Sequence, residues 1–131
     1  MKKIILLLFL AFLQYAHAGT VLVTKPMYIG SNIHIHDTTF ILADHANCPV
    51  IIIGAPFNEQ VTNVVINNVV IDGDMQNQDR ELYHNSDFGP INNDGILVQN
   101  ASGVTISNVV IHSCRSGGLV STCFVRNKFM Y

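Results

Sequence analysis

One short phrase occurs twice in the sequence and limits the fold more than any other feature. Residues 63–71 read NVVINNVVI and residues 103–111 read GVTISNVVI, so the apolar positions and one asparagine recur 40 residues later. A third, weaker copy at residues 32–40 reads NIHIHDTTF and has Asp37 where the other copies have Asn68 and Asn108. Repetition of this kind predicts an architecture built from stacked equivalent units.

The phrase itself predicts strands. Apolar residues alternate, stop at an Asn or Asp, and alternate again, which is typical of two short strands that meet at a sharp bend. Asparagine suits such a bend because it tolerates a left-handed backbone. Each copy is followed by a further apolar run that opens with Gly or Pro. We therefore expect three strands per turn of a solenoid, with Ile35, Ile66 and Ile106 in one inward column and about 4.8 Å between turns.

These segments resemble the right-handed parallel β-helix proteins of the pectin lyase-like superfamily, in particular exported bacterial proteins of undetermined activity. The matching pieces are the three copies, VIDG at 70–73, NNDGI at 92–96 and RSGGLV at 115–120. The resemblance implies an all-β domain at residues 19–131, wound as a right-handed single-stranded parallel β-helix of about three coils. It implies no single reaction, because the superfamily includes lyases, hydrolases, esterases, adhesins and proteins without known activity.

Residues 1–18 have the three parts of a secretory signal peptide. Lys2 and Lys3 precede an apolar core at 4–13, and small residues surround Ala18. The core has about ten residues and a membrane-spanning helix needs about twenty, so we expect cleavage after Ala18 rather than a membrane anchor. The mature protein is then expected to be secreted, periplasmic or on the cell surface, without membrane attachment. Residues 19–31 are expected to cover the first end of the stack, with a strand at 21–23 that Pro26 limits.

The charge balance argues against nucleic acid as a partner. The chain has 7 Lys and Arg against 9 Asp and Glu, and cleavage would remove two of the lysines. A nucleic-acid-binding surface needs a basic stripe, and the mature chain is mildly acidic.

The cysteines allow two interpretations. Cys48, Cys114 and Cys123 are an odd number, and Cys114 is close enough in sequence to Cys123 for a disulfide in an oxidising compartment. The alternative is that they are small buried hydrophobic residues. Their spacing does not match a structural zinc site.

Residues 72–94 form a polar insertion between two strands of one turn. It contains six carboxylates and several aromatic or imidazole rings, a combination used by sugar-binding clefts and by Ca²⁺ sites. The substrate-binding candidates are Asp72, Asp74, Tyr83 and His84, with Ca²⁺ as the candidate ion. The spacing differs from an EF-hand because Tyr83 stands where the bidentate Glu belongs. An ordinary solvated loop is the alternative.

Residues 93–96 (NDGI) are similar to the Asn-Thr-Asp-Gly-Ile segment of the polygalacturonase family, whose Asp belongs to the catalytic group. This similarity implies that Asp94 is a catalytic acid or base. The second carboxylate segment of that family has no counterpart at 113–118 (SCRSGG), and inverting glycosidases need two carboxylates. The alternative for Asp94 is an Asx-type hydrogen bond to the turn before its strand.

Basic residues give further catalytic candidates. A likeness to pectate lyases implies an arginine base beside carboxylate-bound Ca²⁺, and Arg115 lies within the repeats. An arginine can act as a base only where its charge is disfavoured, so a surface role is the alternative. His112 is a candidate general base or an outward strand residue. His34 and His36 alternate with isoleucines, so we expect both to face outward. They are either a metal-binding pair or two exposed histidines without a ligand.

The sequence after Thr122 contains no further copy of the phrase. An open end would expose an apolar cross-section, so we expect a truncated gene product or the N-terminal part of a longer protein. If the chain is complete, the exposed end favours self-association. The leading functional prediction is a secreted protein that binds or cleaves an acidic polysaccharide through the 72–94 loop and the strand ends near Arg115. If it is an enzyme, we expect a polysaccharide lyase or a glycoside hydrolase. The alternative is a non-enzymatic surface or structural β-helix or an adhesin fragment.

Overall fold

The computed structural model describes residues 19–54, 59–79, 93–122 and 128–130. Within these ranges the chain is all-β, with a single 3-10 turn at Met75–Asn77 and no α-helix. The nine strands in these ranges are β1 (Gly19–Val23), β2 (Met27–Ile29), β3 (Ile33–Leu42), β4 (Ile51–Ile53), β5 (Val61–Asp72), β6 (Ile96–Val98), β7 (Ala101–His112), β8 (Leu119–Ser121) and β9 (Lys128–Met130).

The strands form two parallel sheets. One sheet has the order β1-β3-β5-β7-β9 and contains the long strands, and the other has the order β2-β4-β6-β8 and contains the short ones. The chain alternates between the sheets, so each odd-numbered strand and the short strand that follows it form one level of a stack. This all-β arrangement is compatible with a parallel β-solenoid.

The register of the long strands confirms the predicted inward column. Ile35 pairs with Ile66, and Ile66 pairs with Ile106. All three side chains are at most 3% exposed. In the short strands the first and third residues also point into this core, as Ile51 and Ile53 do with 0% exposure. The apolar alternation in the sequence therefore decides which face of each strand is buried.

The bend also lies where the sequence predicts it. Asp37, Asn68 and Asn108 have φ angles of 52°, 53° and 50°. The Nδ2 of Asn108 donates to the Oδ1 of Asn68 at 3.1 Å, and the Nδ2 of Asn68 donates to the Oδ1 of Asp37 at 2.5 Å. The prediction of two separate strands on either side of the bend is wrong, because each long strand keeps its pairing beyond a single left-handed residue. Each level thus has one long bent strand and one short strand.

Both ends of the stack differ from the sequence prediction. Residues 19–31 contribute a level of their own rather than a cover, since Val21 pairs with Phe40 and Tyr28 pairs with Ile52. At the other end β9 pairs with β7 and places Phe129 beside Ile106, so pairing continues after Thr122. These strands are too short for the repeat to be recognisable in the sequence. The described residues contain four levels and the first strand of a fifth, so the predicted number of about three coils is too small.

The predicted signal peptide, residues 1–18, lies outside the described residues. Within the residues that the structure describes, none of the helical structure is long and apolar enough to cross a membrane.

Candidate functional site

The connections from the long strands to the short strands stack on one another and hold the site residues predicted within the described chain. We call the surface that they form the turn face, and it comprises residues 43–50, 73–79, 93–95 and 113–118 together with Asp72 and His112, the last residues of β5 and β7. Backbone hydrogen bonds join successive connections: the N–H of Gly95 donates to the oxygen of Gly117, and the N–H of Gly73 donates to the oxygen of His112. Polar side chains from three levels are thereby brought to one edge.

Asn93 is the buried centre of the turn face. Its side chain is inaccessible to solvent at 0% exposure. The Nδ2 donates to the carbonyl oxygens of Cys48 and Gly73 at 3.4 and 3.3 Å, and the Oδ1 accepts the N–H of Arg115 at 2.8 Å. One amide thus joins three levels, and buried main-chain groups of each obtain the partner that they need.

Asp94 lies directly beside this centre and is only 3% exposed. Its carbonyl oxygen accepts the N–H of Val50 at 3.0 Å. A Cβ added to Gly117 would lie 3.1 Å from the Asp94 Oδ1, so the glycine leaves room for this carboxylate. The placement fits a carboxylate that stabilises the turn. The catalytic role of Asp94 stays a prediction.

Arg115 reaches from its own level to the 3-10 turn of the preceding level. Its Nη2 donates to the carbonyl oxygens of Met75 and Gln78 at 2.7 and 3.1 Å. Its Nε is buried without a hydrogen-bond partner in the described structure. A base must accept a proton, whereas this guanidinium uses its protons to bind two carbonyls. The geometry therefore shows how Arg115 holds the insertion against the stack, and its catalytic role stays a prediction.

Asp72 and His112 meet at the ends of β5 and β7. They are paired in register, and the Nδ1 of His112 lies 3.7 Å from the Oδ1 of Asp72. The imidazole is 48% exposed and the carboxylate 29% exposed, so both can reach a ligand in solvent. The same carboxylate accepts the N–H of Asp74 at 2.9 Å, which closes the turn after β5. Both groups are more accessible than Asp74 and Asp94, the other carboxylates predicted for the site within the described residues, which are 7% and 3% exposed.

Asp74 is turned toward its own chain. It is 7% exposed, and its two carboxylate oxygens accept the Nδ2 of Asn77 at 2.9 and 3.1 Å. This contact stabilises the 3-10 turn. Asp74 thus faces the turn while Asp72 faces solvent. Tyr83 and His84, the other predicted ligand-binding residues, lie outside the described residues.

A second acidic and imidazole pair was missed by the sequence analysis. The Nδ1 of His45 lies 2.5 Å from the Oδ1 of Asp79, and the Nδ2 of Asn47 donates to the Oδ2 of Asp79 at 2.7 Å. The N–H of Asp79 donates back to the Oδ1 of Asn47 at 2.8 Å, and the N–H of Asn47 donates to the Oε1 of Gln78 at 2.7 Å. These contacts fasten the start of the insertion to the connection between β3 and β4.

The two ionisable groups of this pair shift each other. Hydrogen bonding to Asp79 raises the pKa of His45 above 6.5, with smaller contributions from the charges of Asp79 and Asp44. Hydrogen bonds from Asn47 and then His45 lower the pKa of Asp79 below 3.8. The sequence contained only one hint of this pair, which is that His45 and Asp79 each follow the end of a predicted long strand. The two residues share no motif.

The other sequence candidates have simpler environments. Cys48 and Cys114 are free, half-buried thiols, and burial raises the pKa of Cys114 to about 11. Cys123 lies outside the described residues. His34 and His36 point away from the core with ring centroids 5.1 Å apart. No group of three or more His, Cys, Asp or Glu suited to a metal ion occurs in the part of the chain that the structure describes.

Comparison of the chain with protein-family models, with curated proteins and with solved structures gave no match.

Proposed function

We propose that the chain is an exported right-handed parallel β-helix of the pectin lyase-like type, and that its turn face binds an acidic polysaccharide after residues 1–18 are removed. The observation that carries the proposal is the exposed Asp72–His112 pair at the aligned ends of β5 and β7. Sugars are recognised by convergent polar groups that bind several hydroxyls at once. A carboxylate accepts from hydroxyls, and an imidazole can donate to a sugar carboxylate or hydroxyl.

Neighbouring groups extend this surface along the stack. His45 and Asp79 add a second imidazole and a second carboxylate. The side chain of His45 is 71% exposed and that of Asp79 is 37% exposed. The first pair lies at the ends of two paired strands, and the second lies in connections that backbone hydrogen bonds hold in place, for example between the N–H of His45 and the oxygen of Asn77. A row of polar groups along a stack matches the repeating hydroxyls of an extended polymer.

Binding is better supported than cleavage. Asp94 and Asp74 are nearly buried, and the guanidinium of Arg115 is held by carbonyl oxygens. A glycosidase needs two carboxyl groups on either side of the scissile bond. The Asp72–His112 pair supplies only one carboxyl group, so the cleaving form of the proposal is a lyase in which Asp72 and His112 would be the acid and base. A structural or surface β-helix is the second class, and the incompletely buried apolar side chains at the two ends of the stack, such as Val21 and Ile111, favour it.

Calcium enters the proposal as a bridging ion. The described residues offer fewer protein ligands than a calcium site needs, since Ca²⁺ takes six to eight oxygens. An ion held by Asp72 would therefore take most of its ligands from the uronate carboxylates and from water.

Isothermal calorimetry with polygalacturonate, in EDTA and in CaCl₂, tests the proposal. We expect the double variant Asp72→Asn, His112→Gln to bind at least about tenfold more weakly than the wild type, because both exposed partners are lost. Asp37→Asn is the matched control, since it removes a carboxylate at the bend, where the other levels carry Asn68 and Asn108. Equal affinity of wild type and double variant, or no heat with any polyuronate, would overturn the proposal.

Export is tested separately by mass spectrometry of the protein recovered outside the producing cell. We expect its first residue to be Gly19. A secreted chain that retains residues 1–18 would refute the cleavage.

A further inference from the structure

The same inward columns are exposed at both ends of the stack. Val21, Phe40, Ile71 and Ile111 follow one another through β1, β3, β5 and β7. The two central residues are 2% and 0% exposed, whereas Val21 is 38% exposed and Ile111 is only partly buried. At each end of the stack, solvent therefore reaches apolar side chains of a kind that the next level buries inside the stack.

A cleft of about 380 Å³ lies at the end formed by β7 and β8. It is lined mainly by Ile106, Val109, Val110, Ile111, Leu119 and Met130. One level below, Val69 and Ile71 occupy the positions equivalent to Val109 and Ile111 and are 1% and 0% exposed. The cleft is therefore the place where a further level would pack.

At each end of the stack only part of the last long strand is paired, and the unpaired part at one end matches the strand present at the other end. β9 pairs with residues 105–107 of β7, and no described strand pairs with residues 109–112 on that side. β1 pairs only with residues 38–42 of β3, which are equivalent through β5 to positions from 109 onward in β7. A strand equivalent to β1 would therefore lie beside the free half of β7 without displacing β9.

We propose that copies of this chain stack head to tail, with β1 and β2 of one copy adding to β7 and β8 of the next. The register of the stack sets Gly19 beside Val109 and Val21 beside Ile111, and it sets Met27 beside Leu119. Val21 and Met27 then enter the apolar cleft, and both parallel sheets continue from one copy into the next. The inference rests on removal of residues 1–18, because those residues precede β1.

This contact joins two different surfaces of the chain. A heterologous contact of this kind does not close on itself when the copies are related by translation along a stack, so it forms chains rather than a fixed dimer. Unpaired parallel edges with apolar faces are suited to such addition. In this register Leu22 lies beside His112, so the stacking surface borders the Asp72–His112 pair, but the contact itself requires no polysaccharide.

The test uses the secreted protein beginning at Gly19 in analytical ultracentrifugation over a concentration series. We expect the wild type to form assemblies larger than a dimer. We expect Val21→Lys and Ile111→Lys to be monomers, because each should associate with itself at least about tenfold more weakly than the wild type does. An equimolar mixture of the two variants should form a one-to-one dimer, because each retains the surface that the other lacks. Leu22→Lys is the matched control, since this side chain is 65% exposed and lies on the outer face of β1 beside Val21.

Circular dichroism checks that each variant is folded, and Ile111→Thr replaces Ile111→Lys if the lysine unfolds the chain. A monomeric wild type, association that survives Val21→Lys, or a mixture without heterodimer would overturn the inference. Polygalacturonate binding by monomeric Val21→Lys separates this inference from the proposed function. The uncleaved chain of residues 1–131 should stay monomeric, and its assembly with the same register would also contradict the inference.

Discussion

The side-chain oxygen of Asn93 accepts the backbone N–H of Arg115 at 2.8 Å, so a buried amide in one level fixes the start of the turn in the next. The same amide donates in the opposite direction to the oxygen of Cys48. Arg115 in turn binds the oxygen of Met75 and holds the first part of the insertion. The exposed pair Asp72–His112 therefore lies on a surface whose geometry depends on a residue with no solvent contact.

Replacement of Asn93 should destabilise the fold more than replacement of other amides. Asn93→Ala leaves two carbonyls and one N–H without their partner in a buried site, so we expect a loss of about 3 kcal/mol in the free energy of unfolding. Urea denaturation measures this loss. Asn67→Ala is the control, because its half-buried amide mainly donates to Ser107 Oγ, and we expect about 1 kcal/mol. Equal losses for the two variants would contradict the role assigned to Asn93.

A methyl group at Gly54 should disrupt the connection between β4 and β5. Gly54 has φ of 104°, and a Cβ there would lie 1.4 Å from the carbonyl oxygen of Gln99. We expect Gly54→Ala to lose more than about 3 kcal/mol of stability because the backbone of two levels must move apart. Gly103→Ala is the control, with φ of 67° and a nearest contact of 3.6 Å. It should lose about 1 kcal/mol, the cost of the left-handed conformation alone.

The sequence predicted the central part of this fold because the repeat carries both periodicity and register. Ile66 and Ile106 could be aligned from their neighbours, and the left-handed bend followed from Asn68. The strand at Val21 was predicted, but it was assigned to a cap rather than to a level because its segment has no copy of the phrase. A pairing between short parallel strands depends on contacts along the stack, and these leave little trace in a three-residue segment.

The candidate site was only partly predictable for a similar reason. Asp72 and His112 are the last residues of aligned strands, so their proximity could be inferred from the repeat once the register was known. The contact between His45 and Asp79 joins a short connection to an insertion that has no equivalent in the other levels. The burial of Asp94 follows from three connections packing together, and a single sequence carries no information on that packing.

Gly103 occupies a position where the two preceding copies of the repeat have asparagine, so a substitution by asparagine would restore the repeat. Asn32 and Asn63 occupy the equivalent positions in the preceding levels with φ of 62° and 58°, and the Nδ2 of Asn63 donates to the Oδ1 of Asn32 at 2.9 Å. Gly103→Asn should extend this ladder by one hydrogen bond and restrict the unfolded chain. We expect a gain of about 0.5 to 1 kcal/mol in urea denaturation. Gly103→Ala is again the control, and a Gly103→Asn variant less stable than it would refute the ladder argument.

The contact between His45 and Asp79 should make the attachment of the insertion dependent on pH. The pKa of His45 is raised, so its contribution is fully present below 6.5 and is lost as the pH rises through the raised value of the folded state. The pKa of Asp79 is lowered, so its contribution is present above 3.8 and is lost as the pH falls through the lowered value. Both partners therefore contribute between about pH 4 and pH 6.5.

The difference in thermal midpoint between wild type and Asp79→Asn measures this contribution. We expect the difference to be largest near pH 5 and to shrink at pH 9, where the neutral imidazole no longer forms an ion pair with the carboxylate. Asp44→Asn is the control, since Asp44 has the smallest effect on the pKa of His45 and should give a nearly flat difference. A difference for Asp79→Asn that does not change between pH 5 and pH 9 would show that Asn47, rather than the charge of His45, supplies the attachment.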